Sequence, residues 1–413
     1  MSPLVGVLVL VLLGLIGSRF AFDPARAPLG PRLLLATGTQ FLLVGLLLGP
    51  LLGLLTGDVI QQLHALLALG LGWIGLLFGL QLDRRQLAQF PISYLVFAIA
   101  QAALTFLLFA TVTYLALRAF GRLGPGVHVA ILAAAATAAV STPAGVALIS
   151  RTFGVTGPLS RLLFYTASLD ALVGIIALQV TYALYSPSRS PAAAFGWGVW
   201  LGVSLAAGVI FAVFFLWLTR PKPERDELTL FLLGLVVFQA GSALYLGLSP
   251  LFVSMVTGAI VANLSPSRRR VYSILQAWEK PIYVILLILA GALISLGTWL
   301  VVPLAAGYVL VRGAAKYLAG FAVRGVVRGS FRPPPGVGVG LLPQGGISLA
   351  MALSAALTYG AIAGSAAVWI GFGTIVLAVA ASELVGPFLT RDLLRHAGEI
   401  RAGADTALAE STE

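Results

Sequence analysis

Apolar runs of membrane-spanning length recur from one end of this chain to the other and leave little room for anything else. A spanning helix needs roughly 20 mostly apolar residues, because its backbone polar groups must be satisfied within the segment. Of the 413 residues, 59% are hydrophobic and only 9% are charged, against about 25% charged in an ordinary soluble domain. A soluble enzyme, a disordered chain and a nucleic-acid binder are therefore excluded, although the net charge is +11. Cys is absent, and His is limited to His64, His128 and His396. Thiol chemistry and disulfides are excluded, a histidine-based metal site or triad has no basis, and no cofactor is expected. The opening MSPLVG lacks a basic region and no cleavage site follows it, so residues 4–17 read as a first span rather than a signal peptide.

The pattern predicts an all-α polytopic membrane protein with thirteen transmembrane helices. The spans fall at residues 4–17, 32–55, 63–82, 91–117, 127–150, 159–185, 195–218, 228–246, 248–264, 281–296, 299–323, 336–359 and 361–389. Thirteen spans put alternate loops on opposite sides. One side then collects nearly all the Lys and Arg, while the other holds only Arg118, Arg122 and Arg189. The positive-inside rule makes the basic side cytoplasmic, with the N-terminus outside and the C-terminus inside a plasma (inner) membrane.

Span 5 reads VSTPAGVAL around Pro143, and span 12 reads LLPQGGISLAMAL around Pro343. Proline removes a backbone donor and clashes one turn back. Ser141-Thr142-Pro143 also reads as a new helix start, a hydroxyl cap followed by proline at the first helical position. Gln344-Gly345-Gly346 supplies permissive backbone and an amide at the second break. Interruptions at matching places in two halves point to an inverted-repeat transporter. Residues 1–186 would form the first repeat, 187–227 a linker helix, 228–391 the second repeat and 392–413 a short tail.

One acidic residue lies deep in a span. Asp170 is about eleven residues into span 6, roughly 16 Å at 1.5 Å per residue. An intramembrane carboxylate is costly and marks an ion or proton site by default. At the same depth in span 11 lies Arg312, with Lys316 one turn nearer the cytoplasm on the same face. Either could supply the counter-charge; Lys316 could alternatively snorkel to the interface, and Asp170 could belong to a static ion pair. Glu383 reads as interfacial, Gln101, Gln179, Gln239 and Asn263 as buried amides, and Arg268–Arg270 as topology determinants near anionic lipid.

In this order the segments resemble the monovalent cation:proton antiporter superfamily over nearly the whole chain. FLLVGLLLGPLLGLL is similar to that family's second helix, and LGLGWIGLLFGLQLDRRQL to its third. STPAGVALISRTFGVTGPLSRLLFYTASLDALVGIIAL resembles the unwound helix, connector and ion-site helix. RGAAKYLAG resembles the helix that carries a basic residue, PQGGISLAMAL the second unwound helix, and SELVGPFLTR the last. The resemblance implies crossed broken helices 5 and 12 in a core domain that moves against a dimerisation domain, and a homodimer in the bilayer. It implies that Asp170 holds the transported monovalent cation or the proton, and that Lys316 best fits the basic position. The family's usual Asp-Asp or Asn-Asp pair is replaced here by Leu169-Asp170-Ala171. Anchored on Gly174, Asp170 takes the first position and Ala171 the essential one; a slip of one residue puts Asp170 at the essential position.

The expected activity is exchange of a monovalent cation, Na⁺ or K⁺, for protons at Asp170, with backbone carbonyls and Thr142 or Ser141 assisting. A single carboxylate favours one-for-one exchange. The alternatives are transport of another solute on the same scaffold, or a non-transporting sensor or assembly protein whose ion site has lapsed. No nucleophile–base constellation points to an enzyme.

Overall fold

The computed structural model describes residues 37–55, 63–124, 126–185, 196–220, 223–294, 299–327, 331–360 and 366–400, with residues 12, 32, 33 and 35. Among them every regular element is helical. The helices are α1 (Phe41–Leu46, continued by a wide turn over Leu47–Leu51), α2 (His64–Leu80), α3 (Arg84–Leu87), α4 (Ile92–Ala119), α5 (Val127–Ala139), α6 (Pro143–Phe153) and α7 (Pro158–Leu184). They continue as α8 (Trp197–Leu218), α9 (Arg225–Tyr245), α10 (Pro250–Leu264), α11 (Arg268–Ala292), α12 (Val301–Val323), α13 (Gly346–Tyr359) and α14 (Ala366–His396).

Eight helical stretches are long and apolar enough to cross a membrane, and four shorter ones are apolar throughout. In order they fall on predicted spans 2 to 13. The first predicted span, residues 4–17, lies outside the described residues, apart from residue 12. One boundary needs correction. The helix of span 10 does not begin at Pro281; α11 starts at Arg268 and runs through Pro281 without a break. The charges of Arg268–Arg270, Glu279 and Lys280 exclude residues 268–280 from the hydrocarbon but do not exclude helix, since Arg, Glu and Lys are good helix formers.

The helices pack as two groups. The first comprises α1, α2 and α8–α11; the second comprises α4–α7 and α12–α14, with thinner contact between them. Within the first group glycines let backbones touch. A Cβ on Gly75 or Gly79 of α2 would collide with the carbonyls of Leu251 or Met255 on α10. With no hydrophobic drive between helices in lipid, such close approach is what packing energy is built from.

The second group holds both interruptions. α5 stops at Ala139, Val140 and Thr142 are extended, and α6 starts at Pro143. A 3₁₀ turn, Val337–Leu341, ends at Leu342, and α13 starts at Gly346 after the extended Gly345. The two gaps lie side by side: the Thr142 N–H donates to the Pro343 carbonyl at 2.9 Å.

Candidate functional site: a buried ion pair between two interrupted helices

Each interruption leaves backbone groups without helical partners, and their satisfaction defines the site. The last carbonyls of a helix have no intrahelical donor and carry partial negative charge. Here two such ends face each other, α5 at Ala138–Val140 and the 3₁₀ turn at Leu341–Leu342. Both are met by cations from α12. Arg312 donates from Nε to the Ala138 carbonyl (3.0 Å), from Nη2 to Val140 (2.8 Å) and Leu341 (3.2 Å), and from Nη1 to Leu342 (2.6 Å). One guanidinium thus ties both breaks together, a use of its rigid planar fork that Lys could not reproduce.

Lys316 lies one turn further along the same face. Its Nζ donates to the Ala139 carbonyl (2.6 Å), to Ser141 Oγ (2.9 Å) and to Asp170 Oδ2 (3.2 Å). The other carboxylate oxygen, Oδ1, accepts the Ser141 N–H at 3.0 Å. Asp170 and Lys316 are both completely buried. Asp170 lies near the middle of the 27-residue helix α7, roughly 20 Å from either end at 1.5 Å per residue. Ser141 links the two halves: its hydroxyl donates to the Leu341 carbonyl at 2.8 Å while its N–H serves the carboxylate.

The sequence offered Arg312 and Lys316 as counter-charges and favoured Lys316 by its fit to the family's basic position. The structure pairs Asp170 with Lys316 and turns Arg312 onto four backbone carbonyls; Arg312 is not an ion-pair partner of the carboxylate. Thr142 caps α6, its Oγ1 accepting the Ala144 N–H at 3.3 Å, with Pro143 at the first helical position. Pro343, Gln344, Gly345 and Gly346 form the second gap. The Gln344 amide reaches back to the first half-helix, donating to the Thr137 carbonyl (2.9 Å) and the Tyr308 hydroxyl (3.1 Å), while its Oε1 is buried without a partner.

Several neighbours carry no strong sequence signal. Tyr308 and Thr137 share a hydrogen bond of 3.1 Å beside Gln344; Tyr308 lies four residues before Arg312, and that spacing was the available clue. Glu383 corrects the sequence reading: it is fully buried rather than interfacial. Gln101, Gln179, Gln239 and Asn263 bond to Thr105, Ser204, Thr257 and the Leu82 carbonyl, away from Asp170. Among the described residues no cluster of three His, Cys, Asp or Glu could hold a metal ion. A cation here would need carbonyl and hydroxyl oxygens beside the one carboxylate.

Interrupted helices meeting around a buried ionisable pair are the construction of secondary transporters, and that is the class defined by this fold and site. The chain belongs to the sodium/hydrogen exchanger family, whose transmembrane sequence model matches residues 7–396. That places it in the monovalent cation:proton antiporter superfamily, among transporters rather than enzymes. Two solved structures of the sodium proton antiporter MjNhaP1 from Methanocaldococcus jannaschii share its fold. One aligns with a TM-score of 0.68 at 15% identity, covering 95% of this chain and 97% of that one. The other aligns with a TM-score of 0.65 at 17% identity, covering 97% and 100%. No curated protein matches the chain in sequence.

Proposed function

We propose that the protein exchanges a monovalent cation for protons at the Asp170–Lys316 pair. The observation that carries this reading is the occupancy of the carboxylate. Oδ1 is held by the Ser141 N–H and Oδ2 by the Lys316 ammonium. A cation and the ammonium cannot both sit against Oδ2. Entry of a cation therefore displaces Lys316 from the carboxylate. Charge balance in a dry site is kept when the displaced ammonium releases one proton to water as one cation arrives, the amine taking a proton back when the cation leaves. The exchange is one-for-one and electroneutral. The oxygens we assign to the cation's shell are the Ser141 hydroxyl, Thr142 Oγ1 and the Ala139 carbonyl, freed when Lys316 swings away, with the unpartnered Gln344 Oε1 of the second gap. Na⁺ and K⁺ both remain candidates for transport.

The contact pattern supports two inverted repeats, residues 1–186 and 228–391. α1 packs on α11, and α10 packs on α2; these pairs exchange under a swap of spans 2 and 3 with spans 9 and 10. The same swap relates α4–α7 packing to α12–α14 packing. With the basic loops on the cytoplasmic face of a plasma membrane, the N-terminus is outside and the C-terminus inside. The group holding both breaks moves as a unit against the α1, α2 and α8–α11 group, which also forms a homodimer, so that the site meets each side in turn.

In proteoliposomes, an imposed Na⁺, K⁺ or Li⁺ gradient is expected to drive proton flux read by a pH-sensitive dye, and D170N to abolish it. Flux that persists in D170N moves the exchange site elsewhere. Dye-silent vesicles with every cation would favour another solute or a lapsed site. Orientation is tested by a Cys placed at Ser267, since the native chain has none. Labelling from the periplasmic side alone would reverse the topology.

A further inference from the structure

Among the described residues a second carboxylate besides Asp170 is fully buried, and no ion pair reaches it. Glu383 sits in α14, roughly 20–25 Å from either end at 1.5 Å per residue, and is 0% exposed. Its Oε2 accepts the Thr37 hydroxyl at 3.1 Å, and Thr37 is in turn 3.0 Å from the hydroxyl of Thr39. Its Oε1 is buried with no hydrogen-bond partner. No ion pair involves it, whereas Asp170 has Lys316.

Among the described residues no salt bridge reaches Glu383; Arg32, five residues before Thr37, has a buried Nε without a hydrogen-bond partner and is not paired with Glu383. Among the elements packed on α14, α12 carries Arg312 and Lys316, which are turned onto carbonyls and Asp170. On α6, Arg151 is exposed in the last turn, and His128 stands in the first turn of α5. The tyrosines Tyr308 and Tyr359 bond to Thr137 and the Thr181 carbonyl. From the other helix group Tyr283 is the titratable neighbour, with Glu279 one turn further along α11. Neither is a cation.

An ionised carboxylate buried in a membrane without a counter-charge costs several kcal/mol or more, and such groups neutralise instead. A monovalent cation would need five or six oxygens, and the two carboxylate oxygens with two threonine hydroxyls fall short. A proton needs only the open position on Oε1. We propose that Glu383 is a second proton-binding site, separate from the exchange site at Asp170. The carboxylate takes a proton from water to become the neutral acid and returns it as the free anion. Thr37 precedes α1, which packs on α11, while α14 belongs to the group holding the breaks. The hydrogen bond between them joins the two groups, so loading this site acts on the contact across which they meet.

The proton is read directly by infrared difference spectroscopy of the purified full chain during a pH titration. The chain has 14 Asp and Glu residues, so the D170N/E383Q spectrum is subtracted from that of D170N. The difference is expected to show a carboxylic-acid carbonyl band that grows on acidification and belongs to Glu383. Where E383Q fails to fold, D170N/T37V/T39V replaces it; removing the hydroxyl donors moves that band to higher frequency and leaves a shifted pair in the difference. A featureless difference in either subtraction overturns the proposal. So does a band that Na⁺ removes at constant pH, which would make Glu383 a cation site. The measurement needs no transport, so loss of antiport and loss of the band are separate results.

Discussion

The two helix interruptions that meet at Asp170 are built differently. At the first, the extended backbone is used chemically: the Ser141 N–H holds the carboxylate, its hydroxyl touches the Lys316 ammonium, and Thr142 closes the next helix with a side-chain cap. The second has no side-chain cap. Its gap is held by Arg312 on the Leu341 and Leu342 carbonyls and by the Gln344 amide reaching across to Thr137. Its next helix begins at Gly346, pressed against Tyr283, after Gly345, which faces the Thr142 side chain. On the proposed reading the first break supplies most of the groups an ion would meet, while the second is held mainly as a clasp, with Gln344 Oε1 buried and unpartnered. Similar proline-broken strings can therefore do unequal work.

The largest effect expected from breaking this arrangement is at the element common to both breaks. R312L strands the buried carbonyls of Ala138 and Val140 and the part-buried one of Leu342, while Leu341 keeps the Ser141 hydroxyl; each buried group left unsatisfied costs about 1–3 kcal/mol. We expect loss of folded protein or a fall in thermal stability exceeding that of any other variant below. R312K, which replaces only part of the fork, is expected to recover a fraction. An R312L protein of native stability would show that the breaks do not depend on a shared cation.

Next is the pair at the first break. D170N and K316M each leave a buried partner uncompensated, a loss of about 3–5 kcal/mol. Together they are expected to destabilise less than either alone. A thermal-stability double-mutant cycle measures this. Additive effects would show that the pair is not energetically coupled.

At the second break G346A tests the clasp. A Cβ at Gly346 would land on the Tyr283 ring, and overpacking of that kind costs about 1–3 kcal/mol. Because Tyr283 belongs to α11, the clash also pushes the two helix groups apart. Y283A is expected to relieve it, and a G346A protein as stable as the parent would sever this contact from the comparison.

The smallest effect is at the cap. T142A removes the acceptor for the Ala144 N–H, a loss of about 1 kcal/mol, and T142S is expected to retain it. Comparable loss from both substitutions would mean that the methyl group, rather than the hydroxyl, is what the first break needs.

Much of this was legible before any coordinates. Pro143 and Pro343 have no backbone donor and so favour an interruption, but Pro281 and Pro387 lie inside continuous helices; the hydroxyl cap before Pro143 and the paired glycines after Pro343 are what marked these two positions. Asp170 stands out because a charge in a long apolar run has few explanations. Glu383 was misread as interfacial because its segment, ASELVGPFLTR, ends in charges; the charged end belongs to a helix that runs on to His396. Residues 268–280 were taken for a loop for the same reason, since hydropathy reports solvent preference and not backbone conformation.

Hydropathy, proline positions and the isolated acid thus determined a polytopic helical transporter with two interruptions and one principal charge. Those signals are local, carried by each residue's own solvation and backbone chemistry. Arg312 matched Asp170 in depth while Lys316, one turn nearer the cytoplasm, fitted the family's basic position; their placement against two facing sets of carbonyls gave Arg312 to the backbone and Lys316 to Asp170. The unaccompanied state of Glu383 is likewise a relation between a carboxylate and Thr37, which lies 346 positions away in the chain. Partners that distant are chosen by packing, because the energy of a buried charge depends on what surrounds it in space.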